Sequence, residues 1–360
     1  MGEWKECTLG DVLNLRRGYD LPHTEMTGGN IPVAGSNGII GYHNVSTNIE
    51  PCITVGRSGS AGSTYYYDKA WAHNTTLYID DFKGNDPQYL YYLLLSLPLK
   101  QMAGGSAVPS LNRNHIHPFR IKFPNSIKEQ RNIASILSAL DDKIAVNRRI
   151  CENLEAQAQA LFKHWFIDFA PFKGGKFVDS QLGLIPEGWK VGTLGEIAEF
   201  KRGKTIIKSE TTEGMVPVVA GGLEPAYYHN LANTSSRVIT ISGSGANAGY
   251  TRMYYEPVWA SDCSYVDNVS TNYLHTTYCY LIANKKMVNA LQWGAAQPHV
   301  YAKDINKLSF AIAPENILKK FEELVLDYFN KISALQSESS RLSTLRDTLL
   351  PKLMSGQITL

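Results

Sequence analysis

The chain has 360 residues, 44% of them hydrophobic and 19% charged, with a formal net charge of +2. That length accommodates two domains with cores of their own, and the composition excludes disordered and fibrous classes. No apolar run approaches the roughly 20 residues of a membrane span. Residues 1–145 carry 13 basic and 13 acidic side chains, and residues 185–330 carry 13 and 14. Any phosphate-binding surface must therefore be a local patch. The five cysteines (Cys7, Cys52, Cys151, Cys263, Cys279) form no C-x-x-C pair. This suits reduced thiols in a cytoplasm better than a disulfide frame or a zinc site. Met1 leads straight into an acidic, Trp-bearing segment, so no secretory leader is expected.

Taken in chain order, the first 125 residues are rich in Gly, Tyr, Ser and Thr. Short β-like runs such as Cys52–Val55 lie between Gly-rich turns, and a helix is predicted from Pro87 to Leu97. Ser126-Ile127-Lys128-Glu129 reads as a capping box, followed by Ile133, Ile136, Leu137 and Leu140 at helical spacing. Asp141-Asp142 is expected to cap a second helix running to about Phe166, its apolar positions Ile150, Leu154, Ala158, Leu161 and Trp165 keeping nearly a 3.5-residue period. A Pro- and Gly-containing linker, 171–185, follows. The β-rich pattern then returns over about 185–313, with a run at Arg237–Ile241 and a helix near Tyr273–Asn284, and a final helix carries Leu335, Leu342, Leu345, Leu349 and Leu353.

The return is a repeat. Trp4/Trp189, Leu9/Leu194 and Gly10/Gly195 all lie 185 residues apart. Arg17-Gly18 matches Arg202-Gly203, Tyr42-His43-Asn44 matches Tyr228-His229-Asn230, Trp71-Ala72 matches Trp259-Ala260, and Pro109 matches Pro298. A period this long is a duplicated domain rather than a solenoid unit. The expected fold is mixed α/β (α+β): two similar domains joined by a long antiparallel two-helix coiled coil, with a pseudo-two-fold internal repeat. The expected boundaries are 1–140, a spacer helix 141–170, the linker 171–185, 186–328, and a C-terminal helix 329–360. Each spacer helix is expected to have about 25 residues, roughly 40 Å at 1.5 Å per residue, near one turn of B-DNA. Two surface helices packed separately on their own domains are the alternative.

Candidate contacts lie at matched repeat positions. Arg16, Arg17 and Tyr19 answer to Lys201, Arg202, Lys204 and Thr205, all beside a glycine; a solvated charged turn is the alternative. The stretches Gly56–Gly62, with Arg57 and Ser58, and Gly243–Gly249, with Ser244 and Asn247, lack the G-K-[ST] ending of a phosphate loop. They read as turns needing positive φ, as phosphate contacts, or as both. The loop 110–114, with Ser110, Asn112 and Arg113, corresponds in place, but not in side chain, to the loop 297–301, with Gln297, His299 and Tyr301. Such unlike readers on one scaffold predict two unlike half-sites in DNA. Asp86-Pro87-Gln88-Tyr89 nearly spells an amino-methyltransferase loop, but has no counterpart in the second repeat; a helix start is the simpler reading. His43 and His229 recur with Tyr42 and Tyr228, as a structural aromatic cluster would, and no nucleophile–His–acid set or metal set recurs.

Several motifs resemble the specificity (S) subunit of type I restriction–modification enzymes. They are Leu161–Phe169 closing the central helix, Gly183–Trp189 opening the second repeat, Leu349–Ile358 closing the chain, and Pro109–Asn112 ahead of Phe123-Pro124. The resemblance covers essentially the whole chain. It implies a non-catalytic cytoplasmic subunit whose α/β domains are target recognition domains, each reading half of a split asymmetric sequence in double-stranded DNA. Its helices would dock two modification (M) subunits, with Leu154, Leu161, Phe162, Trp165, Phe166, Leu342, Leu345, Leu349 and Leu353 as candidate contacts, and through these the restriction (R) subunits. It implies no cofactor or metal in this chain: S-adenosylmethionine belongs to the M subunit, ATP and Mg to the R subunit. The rival reading is a self-contained DNA-modifying enzyme with an unrecognised active site.

Overall fold

The structure is a computed structural model that describes residues 3–104, 110–294, 297–358 and 360. Met1 and Pro109 lie outside the described residues. The chain packs as two compact units, one formed by Met1–Val146 with Glu338–Leu360, the other by Asn147–Ser337.

In the first unit a four-stranded antiparallel sheet has the order Asn14–Arg17, Thr76–Asp81, Cys52–Gly56, Thr64–Tyr67. The Cys52–Gly56 strand is buried along its whole length, which explains its uninterrupted β-branched run. A three-stranded sheet places Ile31–Gly35 between Gly38–His43, antiparallel, and Trp71–Ala72, parallel. Trp4–Thr8 pairs with Arg120–Pro124. The helix Pro87–Ser96 packs Tyr89, Leu90, Tyr92 and Leu93 into the core.

The second unit repeats this plan and adds ahead of it an antiparallel pair, Phe177–Val178 with Ile185–Pro186. Its four-stranded order is Lys201–Arg202, Cys263–Asp267, Val238–Ser242, Thr251–Tyr254. Val216–Val219 lies between Tyr227–His229 and Trp259–Ala260, and Lys190–Thr193 pairs with Ser309–Ile312. The helix Leu274–Ala283 stands where Pro87–Ser96 stands in the first unit.

Two long helices supply part of each core. The central helix runs unbroken from Ile127 to Phe162, 36 residues, and the C-terminal helix from Glu315 to Met354, 40 residues. This corrects the expectation of a helix start at Asp141-Asp142 and of helices of about 25 residues. Asp141 serves instead as a lateral anchor, accepting from Tyr92 Oη (2.7 Å) and pairing with Arg346 (2.6 Å). Glu129 of the expected capping box receives the Trp4 indole N–H at 2.9 Å. The two helices run antiparallel within each unit. In the first, Lys143 faces Glu338 (3.6 Å) while Asp141 faces Arg346. In the second, Cys151 Sγ approaches the Ile332 carbonyl (3.9 Å), and the Phe162 and Phe321 rings meet edge to face at 6.0 Å.

The motifs that close each long helix also close a core. A wide helical turn at Lys163–Ile167 carries the chain to Phe169, held at φ 48°. Left-handed backbone costs a bulky residue roughly 1–2 kcal/mol. Ring contacts with Trp189 (5.3 Å) and Phe177 (6.1 Å) pin it there. In the first unit Gly356, at φ 70°, lies so close beneath Trp4 that an added Cβ would meet the ring at 3.1 Å. Among the described residues no helix is long and apolar enough to cross a membrane.

Candidate nucleic-acid interface

The matched loops gather at one end of each four-stranded sheet, where Asn14–Arg17 and Cys52–Gly56 finish in the first unit and Lys201–Arg202 and Val238–Ser242 in the second. In the first unit Gly18 N–H bonds the Thr76 carbonyl (3.0 Å) and Tyr19 N–H the Ala72 carbonyl (2.8 Å). In the second, Gly203 N–H bonds Cys263 O and Lys204 N–H bonds Ala260 O, at 2.8 and 2.9 Å. A Cβ on Gly18 would lie 2.3 Å from the His73 carbonyl oxygen, and one on Gly203 2.3 Å from that of Ser261. Only glycine lets the backbone approach so closely, and the glycine sets the preceding arginine at the rim.

The Gly-rich turns are just as strictly paired. Gly59 and Gly62 have φ of 77° and 83°, and Gly245 and Gly249 have φ of 80° and 86°. Arg57 N–H bonds Thr75 O and Leu111 N–H bonds Arg57 O; the equivalents are Gly243 N–H to Asp262 O and Val300 N–H to Gly243 O. Isolated bridges join Ser58 to Ser110 in one unit and Ser244 to His299 in the other.

Each unit encloses a cleft here. The first, about 360 Å³, is lined by Arg16, Arg17, Arg57, Leu77, Ser110, Leu111, Asn112 and Arg113. The structure thus brings together six of the DNA candidates named for this half, with Ser58 bridged to its wall and Tyr19 beside it. Arg16 lies over the Tyr19 ring at 5.7 Å, and Tyr19 Oη lies 3.2 Å from that of Tyr78. Arg17 has one acidic neighbour, Asp20, at 3.8 Å. The second cleft, about 40 Å³, is lined by Arg202, Gly243, Asp262, Cys263, Ser264, His299, Val300, Tyr301 and Ala302. Ser244 hydrogen-bonds Asp262, the His299 and Tyr301 rings stack at 6.1 Å, and Trp293 bridges to His299 while 65% exposed. Lys201 and Thr205 are exposed outside its lining, Lys204 lies over Trp259 (6.0 Å), and Gln297 is exposed. Asn247 faces inward, its amide 3.4 Å from the Gly221 carbonyl. Burial pushes the Cys263 thiol up to about 12, which keeps that sulfur protonated at neutral pH.

Sequence reasoning missed Asp262, Ser264 and Trp293. The hydrogen-bond pattern sets Asp262 against Thr75, whereas the offset of Trp71/Trp259 sets it against Asn74, so a one-residue shift within the repeat hid the structural pairing. The histidines that matched are structural. His43 and His229 meet Trp71 and Trp259 edge to face at 5.5 and 5.2 Å. His117, without a His counterpart, has a functional one: its Nε2 accepts from Leu15 N–H (3.0 Å) as Asn306 Oδ1 accepts from Phe200 N–H (2.8 Å).

Asp86 caps its helix, accepting from Tyr89 N–H at 3.0 Å with Pro87 at the first position, and Tyr89 is fully buried. A ring so placed cannot stack on a base. Among the described residues no group of three or more His, Cys, Asp or Glu side chains is placed to hold a metal. Of the helix candidates, Phe162, Phe166 and Leu353 are spent inside the cores. Leu154, Leu161, Trp165, Leu342 and Leu349 are half-buried, and Leu345 is 46% exposed.

Two copies of one mixed α/β unit, each presenting loops of different chemistry around the same cleft, define a modular recognition protein. The comparisons give its family. The model of the type I restriction modification DNA specificity domain matches residues 1–156 and again 186–339. The type I restriction enzyme MjaIX specificity subunit of Methanocaldococcus jannaschii is 32% identical over 300 residues, 75% of this chain and 69% of that one. The HindI specificity subunit of Haemophilus influenzae is 20% identical, over 99% of this chain and 100% of that one. The crystal structure of a type I restriction–modification S subunit from M. genitalium shares the fold, with a TM-score of 0.63, 21% identity, and 98% and 96% of the two chains covered. The chain belongs to the family of type I restriction–modification DNA specificity subunits, and is a non-catalytic DNA-recognition subunit.

Proposed function

We propose that each unit reads one half of a split, asymmetric double-stranded DNA target through its cleft, and that the long helices dock two methyltransferase (M) subunits and, through them, restriction (R) subunits. The observation that carries the reading is the pairing of the clefts: one backbone scaffold, repeated hydrogen bond for hydrogen bond, lined by different side chains. A duplicated catalytic site would repeat its side chains; a duplicated reader of two different sequences would repeat its backbone and vary them. Arginine suits guanine and phosphate, and asparagine suits adenine.

Exposed apolar side chains on the long helices support docking. Val146 and Ile150 lie one turn apart, and Leu324, Leu326 and Leu345 are each more than a third exposed. Apolar surface of this kind is the material of protein interfaces. In this reading the chain holds no cofactor of its own. S-adenosylmethionine would sit in the M subunit, where adenine N6 is methylated, and ATP and Mg in the R subunit, with the assembly working in the cytoplasm. Methylome sequencing of cells with and without the gene tests this: one split N6-methyladenine motif should vanish with the gene. An unchanged methylome in cells that express the partner subunits would refute it.

A further inference from the structure

Position by position, the two clefts differ by subtraction and by one addition. Arg57 of the first is replaced at the same backbone position by Gly243, and Arg113 by Ala302, while Arg17 persists as Arg202. Thr75, whose carbonyl accepts the Arg57 N–H, is replaced by Asp262, whose carbonyl accepts the Gly243 N–H. A cleft lined by four guanidiniums becomes one lined by a single guanidinium and a carboxylate.

A carboxylate is out of place on a surface that merely follows phosphates, since like charges repel and desolvation adds to the cost. It is in place where a base offers an amino group. In the major groove cytosine presents N4–H₂ and adenine N6–H₂, and Asp is an acceptor for such donors. Asp262 lines the cleft. One oxygen, Oδ2, is engaged by the Ser244 hydroxyl, and the other, Oδ1, takes no hydrogen bond among the described residues. Gly243 lies beside it, where an added Cβ would come within 3.2 Å of Oδ1, and Ala302 lines the same cleft. His299 and Tyr301, which line the same cleft, offer a stacked pair of rings against which a base edge or sugar can rest.

We propose that Asp262 is a specificity-determining residue of the second unit, accepting through Oδ1 a hydrogen bond from the exocyclic amino group of a cytosine or adenine, with Ser244 as its positioning residue. The half-site of the second unit then contains an amino-bearing base at a fixed position, whereas the arginine cleft of the first unit selects acceptor-rich guanine. This rests on the reading of the units as half-site readers.

The test uses the complete chain assembled with its M subunits, and the methylated motif is the readout. Asp262→Asn keeps the shape but turns part of the acceptor into a donor; Asp262→Ala removes it. Discrimination should fall on the order of tenfold at one position of the second half-site, leaving the first half-site unchanged. An unchanged motif, or a uniform change in affinity for all sequences, would overturn the proposal. So would failure of the shape-conserving Asp262→Asn variant to assemble, since Asp262 would then be a folding residue. Exchanging residues 186–328 for those of a relative separates the two levels. If that exchange leaves the second half-site unaltered, the half-site reading itself fails. If it changes the half-site while Asp262 variants do not, only the role of Asp262 fails.

Discussion

The two clefts teach how one backbone is made to read two things. Both hang on an Arg-Gly step, two left-handed glycines and the same carbonyl-to-amide links, and none of these differs between the units. What differs is carried by side chains that no strand or core requires: Arg57 against Gly243, Asn112 against Tyr301, Arg113 against Ala302, Thr75 against Asp262. Fold and specificity are thus separable, and the cores are free to stay alike while the readers diverge. The lining of the first cleft holds four guanidiniums, and that of the second one guanidinium and one carboxylate.

The largest expected effect comes from breaking the comparison outright. Replacing residues 1–125 with the same region of a relative should replace one half of the methylated motif and leave the other intact. A change in both halves would mean that the units do not read independently. Next in size are the two arginines held by Gly18 and Gly203. Arg17→Ala and Arg202→Ala should weaken DNA binding by the assembled methyltransferase without disturbing assembly. Loss of a phosphate contact lowers the salt dependence by about one unit of slope, and loss of a base contact costs roughly 1–3 kcal/mol at one position. Arg17 has three arginine neighbours to share a phosphate, so its loss should act mainly on the salt slope; Arg202 is the one guanidinium in the lining of its cleft, so its loss should act mainly on discrimination. Equal salt slopes and unaltered motifs in both variants would return these residues to the class of solvated turns.

Much of this was legible in the sequence because a duplication prints its constraints twice. Trp4/Trp189 and Gly18/Gly203 are repeated because packing and close backbone approach tolerate nothing else there, so they marked the domains and the rim of each cleft. The helix start at Asp86 was legible for a local reason, a capping side chain ahead of proline. The uninterrupted central helix was not. Asp141 looks like a cap by composition, and only the distant Tyr92 and Arg346 reveal it as a lateral anchor. Asp262 was invisible for the opposite reason to the glycines, since the position that specifies is the one the repeat does not preserve. The burial of Phe162 and Phe166 likewise depends on Phe321 and Phe310, far along the chain.

The smallest effect is the sharpest internal comparison. The second strand of each unit is clamped by one residue from the turn before its last strand, His117 in the first and Asn306 in the second. Leu15 N–H donates to His117 Nε2, so that nitrogen must keep its lone pair, and the imidazole must be neutral. Burial, followed by the positive charges of Arg113 and Lys83, holds its pKa below the ordinary 6.5, against a weaker opposing pull from Asp80. A histidine depressed on folding stabilises the native state fully above its unfolded pKa, and this contribution is lost as pH falls, because the unfolded chain then binds the extra proton. Asn306 does not titrate. Elsewhere in the second unit Glu322 is buried at a cost, yet hydrogen bonds from His275 and Thr276 hold it below its ordinary 4.5, so its loss falls at lower pH. Between about pH 7.5 and pH 5.5, amide-exchange protection at Leu15 should therefore decline relative to protection at Phe200 in the same sample. Measuring the two amides as a ratio cancels the intrinsic pH dependence of exchange. His117→Asn, which gives the first unit the clamp of the second, should abolish the decline. A ratio that does not move with pH in the unaltered chain would show that His117 does not hold the strand through its neutral form.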